Sequence, residues 1–273
     1  MNPMIPDKND EEFIPNLVTH KPDLEKLHPE EIARWLFLDR FVSTKQLLKI
    51  LRINPKTFDN DHVQQDLKLF ISSLIGTPHV AKLVKNYSID KLQMLFSSSV
   101  LLYRNDSISS DYKTNQSCSI ANLRNFFPMY FYAQRNTPNW YEREPFYTQK
   151  ACSTRWALVE LDFLNCKILN SKLAKYFYCK RKAFPIHSVN QKNVIEEIYD
   201  RIIIGEILGE DLFEENCNIL TRTTLKNKSE TPFNVYITQK ESKIGIHSSP
   251  TKLSFNRERP YRLGFFPSVE FSK

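Results

Sequence analysis

Two acidic residues in the segment VELDFL have a spacing that suits chemistry: Glu160 and Asp162 are separated by one residue. Side chains two positions apart on a β-strand point to the same face, so a strand here would place both carboxylates side by side. Such a pair can bind a hard metal ion or divide the roles of general acid and base, with a histidine such as His247 to assist. Trp156 and Leu158 would share that face, so an ordinary polar edge of a half-buried strand is the alternative to a metal-assisted enzyme.

Arginines near the C-terminus indicate a different kind of site. Guanidinium groups clustered on strands bind carboxylates or phosphates through two hydrogen bonds at once. Together with His247, four of them would form an anion or nucleic-acid site: Arg222, Arg257, Arg259 and Arg262. Glu258 and Glu270 are close to them in the sequence, so salt-bridged surface strands are the alternative.

The basic segment KYFYCKRK, residues 175–182, is a further candidate for contacts with an anionic partner. Each phosphate contact made by a lysine or an arginine releases a counterion and strengthens binding at low salt. The residues that could make such contacts are Lys175, Lys180, Arg181 and Lys182. A charged helix face that meets only water is the alternative.

Residues 126–147 are unusually aromatic: nine of these 22 residues are Phe, Tyr or Trp, and Arg135 and Arg143 lie among them. Rings beside arginines can hold the bases of a single strand. Aromatic side chains also bury the most area per residue, and the segment contains no RNP-like signature. We therefore predict that most of these rings, including Trp140, are packed inside the protein and that both arginines pair with acids or carbonyls nearby.

Residues 43–75 have the helix, short break and helix of a helix-turn-helix, and a preceding helix supplies a third member. Aspartates occur near the start of the second helix, at Asp59, Asp61 and Asp66. Helices that read bases normally present Arg, Lys, Asn or Gln there. Ordinary three-helix packing is therefore the favoured interpretation, and DNA recognition is the alternative.

Glycine and cysteine usage excludes several classes of site. The chain has five glycines and contains neither a dinucleotide-binding nor a P-loop motif, and the nucleophile elbow of an α/β-hydrolase is missing too. None of the five cysteines forms a CxxC pair, which argues against a structural zinc site. Cys152, in KACSTRW, has the most polar surroundings and is the first thiol to test. We predict no cofactor and no bound metal.

The N-terminus, MNPMIPDKNDEEF, resembles no secretory signal. No apolar run approaches the roughly 18 residues that a membrane-spanning helix needs. An odd, scattered set of cysteines fits reduced thiols. These features predict a cytoplasmic protein that is not inserted in a membrane.

Four segments are expected along the chain. Residues 1–27 form a polar, proline-punctuated arm that is extended or disordered, residues 28–104 a helical domain, residues 105–119 a polar linker or long loop, and residues 120–273 an α+β domain. Within the last, VNQKNVIEEIYDRIIIGEILG is the clearest helix, and FNVYITQ with SKIGIHS forms a hairpin. The predicted fold class is α+β, with a helix-turn-helix-like start and a terminal antiparallel β-meander.

The net charge of +7 permits an anionic partner but does not require one. Because cofactor, metal and nucleophile motifs are missing, the leading hypothesis is a non-enzymatic binding or assembly protein that acts through protein–protein contacts. The first alternative is a nucleic-acid-binding protein that uses residues 43–75, 126–147 or 175–182. The second is the metal-assisted enzyme with Glu160 and Asp162.

Overall fold

The computed structural model describes residues 27–86, 88–132, 139–148, 152–165, 171–209, 217–226, 232–240, 243–250 and 262–271. Its helices are concentrated in the N-terminal part and its mostly antiparallel sheets come later. The predicted α+β fold class is confirmed. Residues 1–26, which make up nearly all of the predicted N-terminal arm, lie outside the described residues.

Five helices open the chain, with a short 3-10 helix at Leu38–Arg40 after the first. They are α1 (Pro29–Phe37), α2 (Thr44–Leu51), α3 (Asn60–Ile75), α4 (Pro78–Lys85) and α5 (Ile89–Phe96). Ser43 caps α2, as the sequence predicts, and forms a reciprocal pair with Gln46. Asp59 caps α3, where the sequence suggests Asn60 or Asp61, and its carboxylate accepts from His62 N at 3.1 Å.

After α5 the chain forms a fully buried strand, β1 (Ser99–Arg104). The sequence predicted that the fifth helix would continue through Leu101, and that prediction is wrong. The spacing of apolar residues in a short run does not distinguish a helix from a strand. Here the residues form a strand because they pair with a later strand, residues 155–160. The next residues form a small hairpin of β2 (Ser107–Ser109) and β3 (Asn115–Ser117), so the predicted linker or long loop at 105–119 contains paired strands.

The remaining elements alternate between helix and strand. The helices are α6 (Ile120–Phe126), α7 (Pro145–Thr148), α8 (Ser171–Lys182) and α9 (Val194–Leu208), with 3-10 helices at Pro128–Tyr130 and Trp140–Arg143. The strands are β4 (Arg155–Glu160), β5 (Leu164–Asn165), β6 (Val189–Gln191), β7 (Cys217–Lys226), β8 (Pro232–Lys240), β9 (Lys243–Pro250), β10 (Arg262–Phe265) and β11 (Pro267–Val269). The segment around SKLAKYFYCKRK, for which the sequence left helix and strand open, is helical.

Two larger sheets result from this order. One has the order β1-β4-β11-β6, and the other has the order β5-β10-β7-β8-β9. In the second sheet, β8 and β9 form the hairpin that the sequence predicts, and β7 pairs with β8 to extend it into an antiparallel meander. β10 pairs in parallel with β7 and so does not continue the predicted antiparallel meander. The strands β10 and β11 are adjacent in sequence but belong to different sheets, so this segment of the chain connects the two sheets.

Helix α9 is the central element of the fold because it contacts β1 of the first sheet and β7 and β8 of the second. Ile198 and Ile202 lie four residues apart on the apolar stripe that the sequence predicts for this helix, and both are completely buried. The burial is not confined to an apolar stripe, since every residue from 194 to 204 is buried. Four of these residues are charged: Glu196, Glu197, Asp200 and Arg201.

The buried hydrophobic residues of both halves of the chain belong to one continuous cluster. Trp156 of β4 illustrates this, because its Nε1 donates to the Val63 carbonyl of α3 at 3.0 Å and its ring stacks on Phe41 at 5.9 Å. The division into two domains at 105–119 stays a prediction, but the halves share core contacts.

In the described part of the chain, no helix is by itself long and apolar enough to cross a membrane. Helices α3 and α4 reach that length and composition only when joined, and they are bent by 86° from each other.

Candidate functional site

Helix α8 has one side in the protein and one side in solvent. Ala174, Tyr178 and Cys179 are buried, and they recur at the spacing of one helical face. The solvent side carries cations and two aromatic rings. We call this side the α8 face; it comprises Lys172, Lys175, Tyr176, Phe177, Lys180 and Arg181.

Two neighbouring rings are the unusual part of the α8 face. Tyr176 is 50% exposed and Phe177 is 51% exposed. Their ring centroids lie 5.6 Å apart with an interplanar angle of 73°. The two rings therefore expose apolar surface to solvent in different directions. Exposure of apolar surface to water is unfavourable, and a bound partner that covers the rings would remove this free-energy cost.

The charge of the α8 face is uniformly positive, since α8 contains no acidic residue and ends in Lys180, Arg181 and Lys182. Among the described residues, Asp162 pairs with this face: its Oδ2 lies 3.5 Å from Arg181 Nη2, and both side chains are more than half exposed. Exposed pairs of this kind are weak. The α8 face therefore suits an anionic partner with flat apolar groups.

Lys182 does not belong to the α8 face, although the sequence predicts it as a phosphate contact. It is buried, and its Nζ donates to the Leu95 carbonyl at 2.9 Å and to Ser98 Oγ at 3.0 Å. It also lies 3.3 Å from Glu160 Oε2. These contacts anchor the end of α8 to α5 and β4 and thereby hold the α8 face in place.

The carboxylates of Glu160 and Asp162 have separate partners. Glu160 is buried at the end of β4, where its Oε2 accepts from Tyr178 Oη at 2.9 Å. Burial and the negative charge of Glu160 raise the pKa of Tyr178, which keeps the phenol protonated as a donor. Asp162 faces Arg181 at the surface. Among the described residues, no group of three or more His, Cys, Asp and Glu side chains has a geometry suited to a metal ion.

His247 lies on β9 in the five-stranded sheet, whereas Glu160 lies on β4 in the other one. Its ring stacks on Tyr236 at 5.3 Å, and its Nε2 lies 2.9 Å from Thr238 Oγ1. Gly245 permits this pair, because a Cβ there would come within 2.9 Å of His247 Nε2 and 2.8 Å of Thr238 Oγ1. The structure thus gives His247 a hydroxyl partner on the neighbouring strand.

The predicted arginine set is only partly described. Arg222 is exposed, and its Nη2 lies 3.6 Å from Glu196 Oε2, in keeping with the salt-bridged alternative. Arg262 lies in β10, paired with Cys217 of β7. Arg135, Arg257 and Arg259 lie outside the described residues.

The aromatic segment 126–147 is partly buried. Phe131, Phe146 and Tyr147 are buried, but Trp140 is 40% exposed, so the predicted burial of Trp140 is wrong. Its ring makes edge-to-face contacts with Tyr141 at 5.7 Å and with Phe146 at 6.3 Å. Trp140 therefore packs on these rings from the solvent side.

An arginine outside the aromatic segment forms hydrogen bonds with two of its residues. Arg124 of α6 donates through Nη1 to Glu142 Oε1 at 3.0 Å and to Tyr141 Oη at 3.3 Å. Arg143, which the sequence predicts as the partner of Glu142 or Glu144, is exposed on the same 3-10 helix.

Helices α2 and α3 pack into the core through residues such as Leu47, Leu51, Val63 and Leu67. The aspartates that open α3 have a structural explanation: Asp59 caps the helix and Asp61 lies in its first turn, where negative charge is favourable. Both place negative charge where a DNA-reading helix would approach phosphates, so the helix-turn-helix hypothesis gains no support from this geometry.

Cys152, the thiol singled out by the sequence, is buried next to Cys118, whose carbonyl accepts from Cys152 N at 3.2 Å. Burial raises the pKa of Cys152 well above its ordinary value, so the thiol is protonated rather than reactive. The sequence singles out Cys152 only as the first thiol to test, and its burial argues against a reactive role.

Sequence reasoning missed the rings that belong to the α8 face. Tyr176 and Phe177 stand between lysines in the basic segment, and this interleaving was the available signal. Only the structure shows that both rings are exposed, because burial of Tyr178 identifies the side of α8 that faces the protein. Comparison of the chain with models of protein families, with curated protein sequences and with solved structures found no match.

Proposed function

We propose that this protein is a binding protein that holds single-stranded nucleic acid on the α8 face. The observation that carries this proposal is the pair of half-exposed rings, Tyr176 and Phe177, set among four cations on one side of a helix. Bases of any sequence can stack on such rings, while lysines and arginines follow the phosphates.

Unstacked bases are the ligand class that fits both features. A duplex hides its base faces, so exposed rings would contribute little to binding it. An anionic membrane surface would use the same cations, but helices that lie in a membrane interface bury a continuous apolar side. Among the α8 side chains that the structure describes, the exposed apolar ones are these two adjacent rings, with Lys180 four residues after Tyr176 and Arg181 four residues after Phe177.

The test is fluorescence anisotropy with a labelled, mixed-sequence single strand of about 15 nucleotides, measured over a salt series. The wild-type chain should bind, and its affinity should fall as salt rises. Tyr176→Ala with Phe177→Ala should weaken binding about fivefold or more per ring, since each base stack contributes about 1–3 kcal/mol. Lys180→Gln with Arg181→Gln should weaken binding and flatten the salt dependence.

A matched control is available on the β2–β3 hairpin, where Tyr112 is also an exposed ring and Lys113 adjoins it. Tyr112→Ala with Lys113→Gln removes the same chemistry elsewhere and should leave affinity unchanged. Equal losses in both pairs of variants, or no binding by wild type at low salt, would reject the proposal. Binding to phosphatidylserine vesicles without binding to the oligonucleotide would assign the α8 face to membranes instead.

The role in protein assembly that the sequence also predicts stays a prediction.

A further inference from the structure

An acidic residue lies against the cationic α8 face. Asp162 follows β4, its Oδ2 lies 3.5 Å from Arg181 Nη2, and more than half of each side chain is exposed. A ligand bound on the α8 face can therefore reach both charged groups. Arg181 comes four residues after Phe177, which places it next to that ring on the helix surface. A nucleotide whose base stacks on Phe177 would have its backbone beside this ion pair.

Both charged groups are held in place before a ligand arrives. The backbone N of Asp162 donates to Glu160 Oε1 at 3.4 Å, and the buried Glu160 side chain also accepts from Tyr178. The guanidinium carbon of Arg181 lies 5.9 Å from the centre of the Tyr178 ring, in a cation–π contact. Binding to groups that are already positioned costs less conformational entropy, so this pair is suited to distinguish between similar ligands.

The two groups have opposite hydrogen-bonding chemistry. A guanidinium has five N–H donors and no acceptor, whereas a carboxylate has acceptors only. The contact with Asp162 uses one N–H group of Arg181, and a phosphate can accept from others. Asp162, in contrast, needs a hydrogen-bond donor in the ligand.

The sugar of a single strand decides whether such a donor is present. In DNA, the ionised phosphates and the deoxyribose ring oxygens of the backbone are acceptors, and the phosphates repel a carboxylate. In RNA, each ribose adds a 2′-hydroxyl, which can donate as well as accept. This hydroxyl lies next to the phosphate on its 3′ side. When Arg181 binds that phosphate, Asp162 is therefore placed to accept from the neighbouring 2′-hydroxyl.

We infer that the single strand held on the α8 face is RNA and that Asp162 is the residue that distinguishes it from DNA. The inference rests on the proposed function, because it assigns the sugar of a strand whose bases stack on Tyr176 and Phe177. The Asp162 carboxylate gains a charge-assisted hydrogen bond from RNA, whereas it meets only acceptors and negative charge in the backbone of DNA.

Fluorescence anisotropy with three labelled strands of about 15 nucleotides tests the inference. The strands share one uracil-containing sequence and are made of RNA, DNA and 2′-O-methyl RNA. The 2′-O-methyl strand keeps the 2′ oxygen but lacks its donor. The wild-type chain should bind RNA about threefold or more tightly than either other strand, as expected for one hydrogen bond of ordinary net strength.

Asp162→Ala removes both the acceptor and the negative charge. This variant should bind DNA more tightly than wild type does, and its affinities for the three strands should become nearly equal. Asp106→Ala is the matched control, because Asp106 is an exposed acid that lies beyond the opposite end of the β1–β4 pair. It should leave the preference for RNA unchanged. Thermal unfolding of both variants verifies that they are folded.

Equal affinities of the wild-type chain for RNA and DNA would overturn the inference, and so would a preference for RNA that survives Asp162→Ala. Equal tightening of RNA and DNA binding in Asp162→Ala would also overturn it, because the carboxylate would then only repel phosphates. In these cases, loss of binding on replacement of Tyr176 and Phe177 would still support the proposed function. A wild-type chain that binds none of the three strands would reject both.

Discussion

The guanidinium of Arg104 and the carboxylate of Asp200 form a two-point ion pair inside the protein, with Nε–Oδ1 at 2.9 Å and Nη2–Oδ2 at 2.8 Å. Neither side chain reaches solvent. Arg104 ends β1 and Asp200 lies on α9, so the pair joins the first sheet to the central helix. Arg104 Nη1 also donates to Glu270, which follows β11.

Replacement of Arg104 by methionine should lower the free energy of unfolding by about 3–5 kcal/mol, measured by urea denaturation. Methionine fills part of the volume but leaves Asp200 and Glu270 with less compensating charge, and breaking a buried pair carries a loss of this size. Asp200 then keeps Lys192, whose Nζ lies 3.1 Å from its Oδ2, and Glu270 keeps Arg155.

Arg155→Met is the matched control, because Arg155 also pairs with Glu270, through Nη1 and Oε2 at 2.9 Å, but is 48% exposed. Its loss should stay below about 1 kcal/mol, as for surface pairs. Equal losses for Arg104→Met and Arg155→Met would mean that burial does not determine the strength of these pairs.

Stability should decline in acid. Burial alone would raise the pKa of Asp200, but Arg104 and Lys192 outweigh it and hold that pKa below its ordinary value. Glu270 behaves likewise, with burial outweighed by Arg104 and Arg155. A depressed pKa stabilises the fold above the unfolded-state value of about 4 and loses that contribution as pH falls from there through the folded-state pKa.

Urea midpoints measured between about pH 7 and pH 2 test this decline. In Asp200→Asn, which should be less stable at neutral pH, the fall in unfolding free energy on acidification should be smaller than in wild type. An acid dependence of the same size in both chains would show that Asp200 does not contribute to it.

Phe146→Ala should destabilise the protein more than Trp140→Ala. Phe146 is buried, and truncation of a buried aromatic costs about 3–5 kcal/mol. Trp140 is partly in solvent, so the loss should fall below about 3 kcal/mol despite the larger ring. Thermal or urea unfolding of the two variants provides the comparison; a larger loss for Trp140→Ala would show that its contacts outweigh its exposure.

Limited proteolysis should cut the exposed tip of the β2–β3 hairpin, residues 110–114. The two fragments should separate in denaturing gels but elute together in native gel filtration, because the halves share core contacts such as Trp156 with Val63. Fragments that elute separately would support two independent domains. First cleavage within 190–208 would contradict the burial of α9.

Cys118 and Cys152 should react with a thiol reagent such as iodoacetamide only after unfolding. Burial raises the pKa of both thiols, which keeps the nucleophilic thiolate scarce and inaccessible. Mass spectrometry of labelled peptides from native and urea-treated protein measures this directly. Rapid labelling of Cys152 in the native chain would restore it as a reactive thiol.

The sequence determined the features that depend on neighbours within a few residues. Ser43 caps α2, Gly209 ends α9 in the left-handed conformation with φ at 61°, and β8 and β9 pair where two alternating segments flank a short polar stretch of sequence. Capping and turn chemistry operate over three or four positions. The α+β class follows from the order of such elements.

Part of the candidate site could also be predicted. The sequence predicted that Lys175, Lys180 and Arg181 are available on the α8 face, because lysines and arginines are rarely fully buried. Lys182 is the exception, because Glu160, the Leu95 carbonyl of α5 and the Ser98 hydroxyl hold its ammonium group in the interior. Which aromatic rings reach solvent could not be predicted, since Tyr176, Phe177 and Tyr178 are consecutive and the sequence left helix and strand open for this segment.

Only the tertiary structure decided how the charges of α9 are neutralised. Arg104 and Asp200 are 96 positions apart, and Arg104 and Glu270 are 166 positions apart. Burial of a charge is tolerated only where folding brings opposite charges and donors into contact, and no local pattern records that. Contacts between distant segments also explain why the apolar run at 99–104 is a strand. It pairs with β4, about 55 residues later in the chain, and the local sequence does not indicate this partner.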